Sequence, residues 1–198
     1  MLVLASASPA RLATLRSAGL DPAVVVSGVD ESTVVESDPA TLAMRLAQLK
    51  ASAVAAASER DCGYVVGCDS VLELEGKILG KPADADDARD RWRAMRGRSG
   101  TLHTGHCLHD LASGHELVRP AATVVHFAAV SDAEIEAYVA SEEPLNVAGA
   151  FTLDGLGGAF VTGIEGDPHN VVGISLPLLR QMFAELGVAW TDLWRPRG

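Results

Sequence analysis

Tyr64 to Pro82, YVVGCDSVLELEGKILGKP, is the segment from which the architecture of this chain is read. Tyr64–Gly67 and Val71–Leu74 are apolar, β-prone runs that read as strand. Glu75-Gly76-Lys77 is a turn, and Ile78 and Leu79 carry the chain back as the second arm of a hairpin. Pro82 ends that arm because it has no N–H to give to a ladder. A hairpin here excludes a purely parallel sheet. On the N-terminal side, Leu2–Ala5 reads as a buried strand. Ser8 and Pro9 look like the N-cap and first position of a helix carrying Leu12, Leu15 and Ala18 up to Gly19. Ala23–Val26 reads as strand, and the acidic Gly28–Asp38 as loop. Leu42, Leu46, Leu49, Ala53 and Ala57 mark the apolar stripe of a second helix.

On the C-terminal side, Asp84 caps a helix with Ala88, Trp92 and Met95. Thr101–His109 and Leu117–Ala129 read as strands joined by a turn at Ala112–Gly114. Ser131 and Glu134 form a capping box. Phe151–Gly158 is a Gly-rich loop before a strand at Ala159–Ile164. Leu176, Leu179, Phe183 and Leu186 mark the last helix. The expectation is one domain over residues 1–198, an α/β fold with a mixed twisted sheet flanked by helices.

Composition narrows the function. With 198 residues, 48% hydrophobic and 21% charged, the chain can bury a core. A net charge of −10 opposes general binding to nucleic acid or to an anionic membrane, so neither is expected as a partner. No apolar run is long enough for a membrane span. The N-terminus lacks the pattern of a signal peptide. Three cysteines without a CxxC pair speak against a disulfide framework. The location these features suggest is cytoplasmic.

Several residues carry candidate chemistry. In Leu4-Ala5-Ser6-Ala7-Ser8-Pro9-Ala10-Arg11 a strand runs into a helix start with free N–H groups, two hydroxyls and an arginine. That suits a phosphate or carboxylate, although an ordinary capped helix reads the same way. Asp69 follows a small residue at what reads as a strand end, where it could hold a metal or act as a general base. A turn aspartate is the alternative. Lys50 lies about 80° around the helical wheel from Leu42, at the stripe's edge. Lys81, stiffened by Pro82, would add a second positive group. Asp30 and Glu31 could pair with Asp69 around a hard cation such as Mg²⁺, or be solvated loop charges. His103, His106 and His109 cannot converge on zinc from one strand, because the middle one faces the other way. Neither G-x-G-x-x-G nor a Walker A motif is present.

Taken together, LASASPARL at 4–12, VDE at 29–31, RLAQLKA at 45–51 and the 67–82 segment resemble the Maf family of nucleoside triphosphate pyrophosphatases. TGH at 104–106, residues 136–158 and NVVGISLPLL at 170–179 extend the resemblance over nearly the whole chain. It implies hydrolysis of a nucleoside triphosphate to monophosphate and pyrophosphate, a divalent metal (Mg²⁺ or Mn²⁺), and an inosine-triphosphatase-like fold with two lobes about a cleft. A homodimer is a further expectation. Matched residue by residue, Asp69 is the proton acceptor and Ser6 and Arg11 bind phosphate. Glu31 joins Asp69 at the metal, and Lys50 and Lys81 contact the triphosphate. Three positions linked to base choice hold Ala10, Ser70 and Asp154. The subgroup acting on dTTP and UTP carries Arg, Thr and Gln there, and the one acting on 7-methyl-GTP carries Trp, Gln and Glu. Matching neither, this chain is expected to accept a broad or differently tuned range. The other reading is a nucleotide-binding regulator of septum formation with little turnover.

Overall fold

The computed structural model describes residues 1–195. Its strands are β1 (Leu2–Leu4), β2 (Ala23–Val24), β3 (Tyr64–Leu74), β4 (Lys77–Leu79), β5 (Ser99–Asp110), β6 (Glu116–Phe127) and β7 (Val161–Glu165). The helices are α1 (Pro9–Ser17), α2 (Pro39–Ala56), α3 (Ala85–Met95), α4 (Asp132–Ala140), α5 (Pro168–Val172) and α6 (Leu176–Glu185). The sheet runs β2-β1-β3-β5-β6-β7, with β4 against β3. β1 is parallel to β2 and β3, and every other pairing is antiparallel, so the sheet is mixed as expected.

β3 is continuous through Cys68-Asp69-Ser70, so Asp69 stands inside a strand and not at its end. β5 pairs with one edge of β3 along almost its full length. The other edge is shared by β1 at Tyr64–Val66 and β4 at Leu72–Leu74. Between them, residues 67–71 have no strand partner on that side. This notch is where the site forms.

Two glycines set how closely α2 approaches the sheet. A Cβ at Gly67 would lie 2.3 Å from the Ala47 carbonyl oxygen, and one at Gly105 would lie 2.2 Å from that of Ala43. The helix therefore packs through its alanines. Its buried stripe is Ala43, Leu46, Ala47, Lys50, Ala51 and Val54, while Leu49 is 41% exposed. The expected stripe through Leu49 and Ala53 is thus rotated. Dense Ala–Gly contact, which gains dispersion energy along the whole helix, wins over burial of one leucine. Lys50 consequently lies in the middle of the buried face.

The core is divided along the long strands. One cluster gathers Leu72, Leu74, Leu102, Val125 and Phe127 with α3 and α4. At its centre the Trp92 ring meets Phe127, Tyr138 and Phe160 edge-on, and its N–H donates to the Ala150 carbonyl at 2.8 Å. Around the other halves of the strands, Leu4, Val66, Cys68 and Leu108 pack on α1 and α6, and Val3, Val65 and Cys107 pack on α2. These are two lobes built on common strands. The strand expected at Ala159–Ile164 begins at Val161, after a 3-10 turn, and β2 is shorter than expected. No helix among the described residues is long and apolar enough to cross a membrane.

Candidate active site

The notch opens into a cleft of ≈ 900 Å³ lined by the β1–α1 turn, α2, the middle of β3, the β4 exit and the 146–154 loop. Asp69 pairs across the sheet with Gly105 and faces α2. There the Lys50 ammonium donates to Asp69 Oδ1 and lies 2.8 Å from Glu31 Oε1. Lys50 and Asp69 are almost buried, at 9% and 8% exposure, while Glu31 reaches in from an exposed 3-10 turn. The structure thus brings together the three residues the sequence nominated, with the lysine between the carboxylates. An ammonium has three donors, so one remains for an incoming oxygen.

Ser70 points to the opposite face and meets Arg11. The Arg11 side chain donates to Gly173 O (2.8 Å), Ser6 Oγ (3.1 Å) and Ser70 Oγ (3.1 Å). A guanidinium has five N–H donors, so two are left without a protein acceptor among the described residues. Ser8 caps α1 by accepting from the Arg11 N–H, and Pro9 occupies the first position. The helix start, Ser6 and Arg11 are thus brought together on one side of the cleft.

Lys81 and Asp154 are exposed on the cleft wall, and Ala10 and Ser70 line it half-buried. Lys81 is held more firmly than Pro82 alone would hold it. Arg91 on α3 donates to Gly80 O at 2.7 Å and Lys81 O at 3.3 Å, and Gly149 N donates to Gly80 O. The turn carrying Asp154 is organised by Glu143, which accepts from Thr152 Oγ1, Leu156 N and Gly157 N. Burial works to raise the Glu143 carboxyl, but these hydrogen bonds outweigh it and hold the group below its usual range. Sequence reasoning missed Arg91, Glu143 and Gly173. Arg91 and Gly173 act through main-chain carbonyls, and Glu143 gathers partners from 9 to 14 residues away, so no local pattern marks these contacts.

The two buried cysteines are unsuited to nucleophilic chemistry. Burial pushes the Cys68 and Cys107 thiols up to about 12, so neither offers a thiolate. The three strand histidines do not converge. His103 faces Glu73, His109 meets Glu116, and His106 is buried with its Nε2 accepting from Ser175 N at 2.8 Å. No cluster of three or more His, Cys, Asp or Glu able to hold a metal occurs among the described residues.

The chain is 60% identical over 195 residues to a nucleoside triphosphate pyrophosphatase of Streptomyces coelicolor, covering 98% of this chain and 95% of the relative. A protein of the same name from Cutibacterium acnes is 55% identical over 204 residues, covering 99% and 96%. Another from Microcystis aeruginosa is 51% identical over 193 residues, covering 98% of each chain. The family described as Maf-like protein matches residues 1–186, nearly the full length, and the chain belongs to that family.

Proposed function

We propose that this chain is a nucleoside triphosphate pyrophosphatase that hydrolyses its substrate to a monophosphate and pyrophosphate. The observation that carries the reading is the arrangement in one cleft of a nearly buried carboxylate, Asp69, opposite a cradle for anions at Ser6, Arg11 and the α1 start. Attack on phosphorus by water needs a proton acceptor beside the water and positive groups for the charge gathering on the departing pyrophosphate. Asp69 accepts the proton, and Lys50 fixes the orientation of that carboxylate. The two uncommitted N–H groups of Arg11, the third Lys50 N–H and the Lys81 ammonium hold phosphate oxygens. No covalent intermediate is required, which fits a cleft whose lining carries no cysteine.

The donor set suits a divalent cation. Lys50 occupies the point between Glu31 Oε1 and Asp69 Oδ1, and the second oxygen of each carboxylate is left for a cation beside it. Two carboxylates completed by phosphate oxygens and water are a usual Mg²⁺ environment. A bound Mg²⁺ or Mn²⁺ would supply Lewis-acid polarisation of the phosphoryl oxygens. Small Ala10 and exposed Asp154 on the wall support a broad or differently tuned base range. The odd cysteine count supports a reducing, cytoplasmic setting.

The test is direct. The chain is incubated with Mg²⁺ and a panel of triphosphates, and pyrophosphate and orthophosphate are measured separately. Pyrophosphate is expected, and Asp69→Asn should lower its release by about a hundredfold or more, the scale of general-base catalysis. Orthophosphate as the product, or wild-type turnover in the variant, would refute the reading. Excess EDTA should abolish activity, and full activity under chelation would remove the metal from the scheme.

A further inference from the structure

A fixed guanidinium plane lets Arg11 hold phosphate with defined geometry, and one residue outside the cleft touches one of its three acceptors. Thr104 on β5 is fully buried and pairs with Ser70 across the sheet. Its hydroxyl donates to the Asn170 carbonyl at 3.2 Å and lies 2.9 Å from Ser70 Oγ. A carbonyl can only accept, so the single Thr104 proton is committed to Asn170. Ser70 must then donate to Thr104, and so presents a lone pair to Arg11 Nη2 at 3.1 Å. The hydrogen bonds all run one way, from Arg11 through Ser70 and Thr104 to Asn170.

The same turn grips the guanidinium from its other side. Gly173 O accepts from Arg11 Nε at 2.8 Å. Gly173 has φ +115°, and a Cβ there would lie 3.0 Å from Arg11 Nε. Gly173 N donates to the Asn170 carbonyl that Thr104 uses, closing the circuit. Two residues along β5, His106 pins Ser175 N, so one face of the strand holds the turn at both ends.

We propose that Thr104 is a positioning residue for Arg11, orienting its two uncommitted N–H groups into the cleft through Ser70. The proposal rests on the phosphate-binding role given to Arg11 above. It also leaves Ser70 only lone pairs to present toward the cleft, because its one proton is given to Thr104.

The experiment uses the full chain with inorganic tripolyphosphate as probe, read by calorimetric titration. In parallel, NMR follows the Arg11 Nε–H resonance, assigned by its loss in Arg11→Lys. Thr104→Val, which keeps shape and loses the hydroxyl, should weaken binding about tenfold, the scale of one hydrogen bond in such a chain. It should also speed exchange of the Arg11 Nε–H with solvent. Thr104→Ser should restore both. Wild-type binding or an unchanged resonance in Thr104→Val would overturn the proposal, as would absence of rescue by serine or of tripolyphosphate binding by the wild type. If Thr104→Val does not fold, Ser70→Ala breaks the same chain from the cleft side. Faster Arg11 Nε–H exchange is then expected, and an unchanged rate overturns the proposal. Intact tripolyphosphate binding without pyrophosphate release from any triphosphate would refute the proposed function and leave this inference standing.

Discussion

An ammonium held between two carboxylates, one nearly buried, is costly to remove from one side only. Lys50→Met would leave Asp69 without its partner at 8% exposure. Water in the cleft can partly resolvate it, so a stability loss of about 1–3 kcal/mol is expected, together with loss of activity. Urea denaturation at neutral pH checks the first, and an unchanged midpoint would show that the pair contributes nothing net. His106 sets a pH dependence of known sign. Burial, helped by the Arg11 charge, takes it down to about 4 from its ordinary 6.5. The folded state thus binds fewer protons than the unfolded state between those values, so stability is full above about pH 6.5 and falls as pH drops through that window. The loss should total on the order of 3 kcal/mol and begin before the carboxylates titrate. His106→Gln should flatten the slope between pH 6.5 and 5, and a slope equal to the wild type would contradict the assignment. As chemistry, Asp69 and Lys50 are legible from residue type and position. Their contact is not, because the leucines of α2 put the lysine at the edge of the buried stripe when it stands in the middle.

Elements show where local reading succeeds and where contact at a distance takes over. The β3–β4 hairpin is legible because Glu-Gly-Lys between apolar runs is local turn chemistry, and Glu75 and Gly76 both take positive φ there. The α4 start is legible for the same reason, since its capping box forms as the spacing requires. α5 is not, because five residues between Pro168 and Gly173 give no helical period. The seating of α2 is the least local feature of all. It depends on Gly67 and Gly105, which in sequence are merely small residues inside strands. Gly105→Ala would place a Cβ 2.2 Å from backbone, so α2 must shift or the strand must buckle. A loss of roughly 3 kcal/mol is expected, at the upper end for overpacking. Because α2 carries Lys50, activity should fall even where the variant still folds. Thermal melting and pyrophosphate release together check this, and a variant with wild-type values in both would disprove the close seating.

For the whole molecule, the charge of −10 leaves the cleft to supply its own positive groups, and Arg11, Lys81 and the α1 start do so. The mixed sheet with helices on both faces is legible from the order of elements. The notch is not, since it arises from unequal strand lengths that periodicity does not resolve. Those lengths have a mechanical consequence. The core clusters on either side of the cleft are built on opposite halves of β3, β5 and β6, so three hydrogen-bonded strands run through both. The clusters approach one another only as far as those strands will bend. Capture of a ligand should therefore leave the radius of gyration unchanged in small-angle scattering. A marked contraction would mean that the strands themselves give way. Glu31 is carried instead on the largely exposed 28–38 loop, which pairs with no strand, so this carboxylate reaches the cleft on an arm outside the stiff frame.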